Sequence, residues 1–269
     1  MGRLSEDKMT DQFAGCLRHR LVEGETLTGT FLNLGSTVAA EICGRAGFDW
    51  ALVDLEHGSG SEADLITQLQ ALATTPASGL VRVESHERSR IGRALDAGAA
   101  GVMAPRVDSA EQALHVVTST RYPPTGTRGV ALMNRAAAFG RRSGGPGKID
   151  ELLLVVAQVE SPQAVAAAPD IAAIDGVDVL FVGPSDLSHS LGCFGQFDDQ
   201  RYVGAVKAVA EACRAAGKAA GVLAGSPENA ERYLEEGYRF VGVSGDAGFV
   251  ASGAASAAAG LRARVRRAP

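Results

Sequence analysis

Residues 50–58 read Trp-Ala-Leu-Val-Asp-Leu-Glu-His-Gly, so an apolar segment runs directly into two carboxylates, an imidazole and a glycine. The apolar part predicts a buried strand, and the glycines at 58 and 60 predict a loop after it. Polar groups therefore follow the end of a strand, which is where α/β proteins place their chemistry. The fold depends on whether this pattern recurs along the chain.

Apolar segments of this kind occur eight times along the chain, counting the one at 48–54. Short apolar segments without polar alternation, typical of parallel strands buried on both faces, occur at 28–33, 48–54, 79–83, 101–105, 152–158, 177–182, 219–223 and 239–243. Helical sequence follows each one, and a last Ala-rich helix is predicted over 246–266. Eight such units in about 250 residues predict a TIM (β/α)8 barrel. The alternative is an open doubly wound sheet, but residues 34–37 lack its glycine fingerprint.

Composition bounds the class of protein. The 269 residues carry a net charge of -5 with no basic stripe, which argues against a nucleic-acid partner. No apolar run is long enough for a signal peptide or a membrane helix, and the four scattered cysteines form no C-x-x-C motif. We therefore expect a cytoplasmic protein with reduced thiols. A loosely ordered segment, 1–13, is expected to precede a single domain over 14–269.

Ionisable residues collect at the predicted strand ends. They are Asp54 and His57 after the second strand, Arg82 at the third, Glu160 at the fifth and Asp186 after the sixth. The carboxyl ends of barrel strands share one face, so we expect these side chains to surround one mouth. A charge at the end of an apolar strand also needs a partner or a metal ion.

Glu160 and Asp186 are candidate metal ligands. They follow adjacent strands, and two carboxylates with open positions suit Mg²⁺ or Mn²⁺ better than zinc. The alternative is a structural role, because each acid also stands at the start of helical sequence, where acids are favoured.

His57 is the candidate base, because a carboxylate on one ring nitrogen would raise the basicity of the other. The period of the strand does not decide whether Asp54 or Glu56 orients it. Arg82, inside an apolar strand, is either half of a buried ion pair or a clamp for a substrate carboxylate or enolate. The backbone of Gly183-Pro184-Ser185 offers N–H donors for a carboxylate.

Taken together, the motifs resemble the HpcH/HpaI family of metal-dependent, class II pyruvate aldolases, which includes 4-hydroxy-2-oxoheptanedioate aldolase and 2-dehydro-3-deoxyglucarate aldolase. The likeness extends from Thr28 to Leu261. Its pieces are Ala46-Gly47-Phe48-Asp49-Trp50, Asp54-x-Glu56-His57, Val81-Arg82, Arg121-Tyr122-Pro123-Pro124-x-Gly126-x-Arg128-Gly129, Gln158-Val159-Glu160 and Gly183-Pro184-Ser185-Asp186-Leu187-Ser188.

The resemblance implies a role for each site residue. Glu160 and Asp186 match the ligands of a divalent cation (Mg²⁺, Mn²⁺ or Co²⁺). His57 matches the base, assisted by Asp54, and Arg82 matches the group that holds the keto or enolate oxygen. The substrate-binding residues implied are Gln158 near the metal, Gly183 and Pro184, and Phe31, Ser185 and Leu223 along the aldehyde pocket. Tryptophan is common at the position of Phe31 and alanine at that of Ser185.

The implied reaction is reversible cleavage of a 4-hydroxy-2-oxo acid to pyruvate, or a related 2-oxo acid, and an aldehyde, in the catabolism of aromatic or sugar acids. Family members are homohexamers, trimers of dimers, that exchange their last helix between subunits. Asp96 matches an acid that reaches the neighbouring subunit's site.

Two alternatives remain. A CoA-ester lyase of the same superfamily would share the barrel and the metal, but Asp-x-Glu-His after the second strand argues against it. A non-catalytic barrel that binds 2-oxo acids would not need an intact set of base, clamp and ligands.

Overall fold

The computed structural model describes residues 15–142 and 145–266, and its eight parallel strands close into a barrel in sequence order. Each strand pairs with the next, and β8 pairs with β1. The TIM-barrel prediction is therefore confirmed. The segment 1–13, expected to be loosely ordered, lies outside the described residues.

The strands match the predicted ones to within two residues at either end. They are β1 (Leu27–Leu32), β2 (Trp50–Asp54), β3 (Ser78–Arg82), β4 (Gly101–Ala104), β5 (Leu154–Val159), β6 (Val179–Val182), β7 (Ala219–Leu223) and β8 (Phe240–Gly245).

Twelve α-helices are found in the described residues. They are α1 (Gly15–Val22), α2 (Thr37–Arg45), α3 (Glu62–Leu72), α4 (Arg88–Asp96), α5 (Ala110–Thr120), α6 (Gly145–Asp150), α7 (Pro162–Ala166), α8 (Ala168–Ala172), α9 (Pro184–Ser190), α10 (Gln200–Ala216), α11 (Pro227–Glu235) and α12 (Asp246–Val265). Two short ones were missed: α6 lies in glycine-rich sequence, and α8 directly follows α7. No described helix has the length and apolarity needed to cross a membrane.

Serine caps explain where several helices begin. Ser36, Ser109, Ser161 and Ser226 each accept a hydrogen bond from a backbone N–H in the first turn of the helix that follows. Such bonds satisfy donors that a helix leaves unpaired at its start. Each capped helix follows a barrel strand, so the caps help to fix the conformation of the loop between the end of the strand and the helix.

The barrel interior is filled by aromatic side chains. Trp50 of β2 is fully buried and stacks on Phe240 of β8 at 4.4 Å between ring centroids. Room for this indole comes from Gly29 on β1, where an added Cβ would lie 2.0 Å from the nearest ring atom. Phe31 and Phe181 pack above it and form part of the floor of the mouth. The interior is therefore a solid base for a site, not a channel.

The close approach at Gly29 generates a prediction. A Gly29→Ala variant should lose about 1–3 kcal/mol of unfolding free energy or more, because the added methyl group must displace the buried indole. Urea denaturation followed by the fluorescence of the one tryptophan measures it. The control is Gly204→Ala in the exposed part of α10, where a Cβ meets open space; it should be neutral or stabilising by about 0.5–1 kcal/mol. An unchanged midpoint for Gly29→Ala would contradict this packing.

Candidate active site

A cavity of about 290 Å³ opens at the carboxyl ends of the strands. It is lined by every residue that the sequence placed in the site, except Asp96: Phe31, Asp54, His57, Arg82, Gln158, Glu160, Gly183, Pro184, Ser185, Asp186 and Leu223. The five ionisable strand-end residues thus share one mouth. Asn33, Phe181 and Ser244 complete the lining.

A bidentate ion pair joins the ends of β2 and β3. Asp54 and Arg82 are register partners across the two strands. Arg82 donates from Nε to Asp54 Oδ1 at 2.9 Å and from Nη2 to Oδ2 at 2.7 Å. Both side chains are nearly inaccessible. The buried ion pair anticipated for Arg82 therefore exists, and the same guanidinium also lines the cavity.

Asp54 gathers further donors around its carboxylate. Asn33 Nδ2 donates to Oδ2 at 2.8 Å, and the backbone N–H groups of Glu56 and His57 donate to Oδ1. Burial alone would raise the pKa of Asp54, but the hydrogen bonds and charge of Arg82, and then the backbone N–H groups of His57 and Glu56, hold it below its ordinary value. Asp54 is therefore an anion that fixes the loop carrying His57.

The contact expected between Asp54 and the His57 imidazole differs from the structure. Both oxygens of Asp54 are engaged by Arg82, and Asp54 reaches His57 only through its backbone N–H. The acid nearest the ring is Glu56, whose Oε2 lies 3.8 Å from His57 Nε2. The His57 side chain is 64% exposed, so the imidazole is free to reorient over the mouth.

Glu56 lies between His57 and Arg82. Its Oε2 forms an ion pair with Arg82 Nη1 at 3.0 Å, but it is buried and has no hydrogen-bond partner among the described residues. Asp54 accepts from Arg82 Nε and Nη2, so Nη1 is the guanidinium nitrogen that Asp54 does not contact. An anionic ligand bound at Nη1 would contact a guanidinium that already has two carboxylates beside it, those of Asp54 and Glu56.

Glu160 is held rigidly at the end of β5. It is 5% exposed, its Oε1 accepts from Gln158 Nε2 at 2.8 Å, and its Oε2 accepts from the backbone N–H of Arg106 at 3.1 Å. Arg106 adopts a left-handed φ of 48° just after β4. Ser161, not Glu160, caps α7. The helix-cap alternative for Glu160 is therefore wrong.

Gly183 allows the β6 loop to approach Glu160. A Cβ at this position would lie 2.4 Å from Glu160 Oε1. The next residues begin α9, in which Asp186 occupies the first turn and is exposed at the mouth. Asp186 therefore lies at the start of a helix, as the structural alternative predicted, and it also lines the cavity.

The arrangement suits a divalent cation. Burial, and then the charges of Asp186 and Glu56, raise the pKa of Glu160 to about 7. Three carboxylates and one guanidinium line the cavity, so a bound cation would favour the ionised form of Glu160. Gln158 Oε1 is a buried acceptor without a donor among the described residues. Within the same residues no group of three His, Cys, Asp or Glu side chains is placed to bind a metal. A pair of carboxylates leaves coordination positions for water or substrate, as Mg²⁺ and Mn²⁺ prefer.

Comparison with known proteins agrees with this geometry. The profile of the family described as HpcH/HpaI aldolase/citrate lyase matches residues 27–252. The chain belongs to this family. The resemblance identified from the motifs is thereby confirmed.

Three relatives show how closely the chain matches the family. A hydroxypyruvate/pyruvate aldolase from Agrobacterium fabrum is 40% identical over 224 residues, covering 83% of this chain and 84% of the relative. A 2-keto-3-deoxy-L-rhamnonate aldolase from Klebsiella pneumoniae is 43% identical over 230 residues, covering 84% and 85%. The crystal structure of a HpcH/HpaI family protein from Burkholderia cenocepacia gives a TM-score of 0.88 at 40% identity, covering 92% of this chain and 99% of that one.

Three lining residues of this family member were missed from sequence. Asn33 follows β1, so the rule that polar strand ends form the site would have found it. Phe181 was hidden within an apolar strand, where nothing in the sequence separates a cavity floor from a core. Ser244 has a left-handed φ of 51° near the end of β8, which the sequence does not signal.

Asp96 lies outside the cavity of its own chain. It ends α4, and its Oδ1 accepts a hydrogen bond from Arg128 Nη2 at 2.6 Å. Arg128 is buried against the ring of Tyr122, at 4.6 Å from its centroid. A role for Asp96 in a neighbouring site stays a prediction.

Removing the charge of Asp54 should destabilise the protein strongly. Asp54→Asn should cost about 3–5 kcal/mol at pH 7, because it leaves the buried Arg82 guanidinium without its anion. The folded-state pKa of Asp54 is lowered, so this contribution is present above about pH 4, the unfolded value. It disappears as the pH falls through the folded-state pKa.

Urea denaturation at pH 7 and at successively lower pH measures this difference. The control is Glu41→Gln, which removes an exposed ion pair with Arg45 and should change stability by no more than about 0.5 kcal/mol. Equal costs for the two variants would contradict the importance of the buried pair.

Proposed function

We propose that this protein is a divalent-metal-dependent aldolase that reversibly cleaves a 4-hydroxy-2-oxo acid to pyruvate, or a related 2-oxo acid, and an aldehyde. The observation that carries the proposal is the convergence of His57, Arg82, Glu160 and Asp186 on one cavity. Membership of a family whose relatives are named aldolases supports it. Such a reaction fits the catabolism of aromatic or sugar acids.

In this proposal Glu160 and Asp186 hold the cation, with Gln158 beside them. When bound, a divalent ion supplies Lewis-acid stabilisation for negative charge that develops on the 2-oxo group. The physiological ion is Mg²⁺, Mn²⁺ or Co²⁺. Gln158 and the Arg106 backbone N–H keep Glu160 in one orientation, so the ligand does not have to reorganise during the reaction.

The other residues move the proton and hold the developing charge. His57, directly or through a water, takes the proton of the 4-hydroxyl group. The C3–C4 bond breaks, its electron pair passes to the 2-oxo acid fragment as an enolate, and the former C4 leaves as an aldehyde carbonyl. Arg82 Nη1, which Asp54 does not contact and which lies 3.0 Å from Glu56 Oε2, offsets the charge of the enolate oxygen. Protonation at C3 then gives pyruvate. Among the residues that the structure describes, no lysine lines the cavity, and the proposal needs no Schiff base.

We further propose that the protein assembles as a homohexamer, a trimer of dimers, with α12 exchanged between subunits. Beyond its first residues, α12 is exposed along its length, and it presents Phe249, Val250, Leu261 and Val265 to the surface. Phe249 stacks on Phe48 of its own chain, whereas Val250, Leu261 and Val265 are each more than 60% exposed. A long helix that exposes apolar side chains in this way supports an intersubunit contact. A cytoplasmic location and a single domain over 14–269 remain predictions from the sequence.

The first test is turnover. Purified protein given 4-hydroxy-2-oxo acids should release pyruvate, measured by coupling to lactate dehydrogenase, and EDTA should abolish the release. His57→Ala should lower kcat by about 10²–10⁴-fold, the range for loss of a general base. The control is His19→Gln, which removes an exposed histidine of α1. Full activity of His57→Ala, or cleavage of acyl-CoA esters instead of pyruvate release, would contradict the proposal.

Thermal unfolding separates metal binding from turnover. Mn²⁺ should raise the Tm of the wild-type protein, because a ligand that binds only the folded state stabilises it. Glu160→Gln should lose most of this increase, whereas the His57→Ala variant should keep it. A Tm increase that survives in Glu160→Gln would show that the cation binds elsewhere.

Mixing inactive variants tests whether Asp96 acts across the subunit interface. Asp96→Asn and His57→Ala, each weakly active alone, should recover activity when refolded together, since roughly one site in four would combine both native residues. Refolding each variant alone is the control. If mixing restores nothing, Asp96 acts only on its own chain, through Arg128.

A further inference from the structure

Asp246 is a buried carboxylate outside the active-site cavity. It is the first residue of α12, it is 2% exposed, and it is not among the described residues that line the cavity. Its Oδ1 accepts from the backbone N–H groups of Asn33 at 2.7 Å and Ala247 at 2.8 Å, and the backbone nitrogen of Leu34 lies 3.3 Å from each of its oxygens. A carboxylate buried to this extent needs such donors, because its charge is otherwise costly.

The ordinary role of an acid at the start of a helix explains only part of this arrangement. The bond from Ala247 is local and stabilises the first turn of α12. The bonds from Asn33 and Leu34 come from residues 213 and 212 positions earlier in the chain, just after the end of β1. Because β1 pairs with β2, whose last residue is Asp54, these bonds join the last helix to the strand end beside Asp54.

Asn33 connects Asp246 to the site through three hydrogen bonds. Its backbone N–H donates to Asp246, its side-chain Nδ2 donates to Asp54 Oδ2 at 2.8 Å, and its carbonyl accepts from the N–H of Ser59 at 2.7 Å. Ser59 lies two residues after His57, in the same loop. Asn33 therefore holds both the carboxylate of Asp54 and the loop that carries His57.

The packing around Asn33 restricts the position of its amide. An added Cβ at Gly245 would lie 2.6 Å from Asn33 Oδ1, so the end of β8 closes on the oxygen side of the amide. On the nitrogen side, Asp54 Oδ2 also accepts from Arg82 Nη2 at 2.7 Å, and the two donors together fix the rotation of the carboxylate. A displacement of Asn33 would therefore be transmitted to Arg82 through one shared oxygen.

We propose that Asp246 is a positioning residue for the aldolase reaction, and that it acts through Asn33 on Asp54. The bonds to Asp246 fix the backbone after β1, and the amide of Asn33 fixes the carboxylate of Asp54. That carboxylate in turn orients Arg82 and the backbone of His57. The inference rests on the proposed aldolase function and adds to it a residue outside the cavity. Asp246 itself contacts no substrate and transfers no proton.

The test measures pyruvate release from 4-hydroxy-2-oxoheptanedioate in the presence of Mn²⁺. Asp246→Ala should lower kcat by about 10–100-fold, because a charge-assisted hydrogen bond is worth at least about tenfold and a misplaced reacting group costs more. Asp246→Asn, whose amide oxygen still accepts from the Asn33 N–H, should retain more of the rate. KM should change less than kcat. The Tm increase caused by Mn²⁺ should persist, since Glu160 is held by Gln158 and Arg106.

A double variant shows whether Asp246 acts through Asn33. Asn33→Ala removes the amide, keeps the backbone N–H that bonds Asp246, and should also lower kcat. Asp246→Asn combined with Asn33→Ala should be no slower than Asn33→Ala alone, because the effects of two residues in one network do not add. The control is Glu228→Gln, which changes an exposed acid in the first turn of α11 and should leave kcat unchanged.

A wild-type kcat in Asp246→Ala, measured below its unfolding temperature, would overturn the positioning role. Losses that multiply in the double variant would overturn it as well. Either result would leave the aldolase proposal intact, because the wild-type protein would still release pyruvate. If Asp246→Ala does not fold, Asp246→Asn and the double variant decide the question in the same way. Absence of pyruvate release by the wild-type protein, from this and other 4-hydroxy-2-oxo acids, would overturn the aldolase proposal itself.

Discussion

The buried pair between Asp54 and Arg82 is the interaction on which the rest of the site depends. It joins the ends of two neighbouring strands, and it removes both charges from water in one fixed geometry. The same carboxylate also binds Asn33 and the backbone that leads to His57. One anion therefore positions the His57 backbone, Arg82 and the end of a third strand, which is more than an isolated buried ion pair would contribute.

The opposite side of the mouth has the reverse arrangement, with too much negative charge. Glu160 is buried beside other acids, and its raised pKa reflects first its burial and then the charges of Asp186 and Glu56. Natural proteins tolerate such crowding at functional sites, where it costs stability in the empty protein and favours a cation. The two sides of the mouth therefore differ. The Asp54–Arg82 side is neutralised internally and is rigid, whereas the charge of the Glu160 side is left for a bound cation to neutralise.

Much of this could be predicted from sequence, because barrel strands end at one face and polar residues stand out where apolar strands end. The eight strands and the shared mouth of Asp54, His57, Arg82, Glu160 and Asp186 follow from that rule alone. The pairing of Asp54 with Arg82 could not be predicted in this way, because only the register between β2 and β3 places the two side chains together. The cap at the start of α7 was also ambiguous, because Glu160 and Ser161 both suit helix starts and only hydrogen bonding separates them.

Two positions that follow β6, Gly183 and Ser185, differ in how freely their residues can be replaced. Any side chain at position 183 would displace Glu160, so a substitution there is incompatible with this arrangement of the site. Two residues later, Ser185 is exposed and lines the cavity, and its replacement leaves the backbone beside Glu160 where it is. The shape of the cavity can therefore change at Ser185, while the position that supports Glu160 stays fixed.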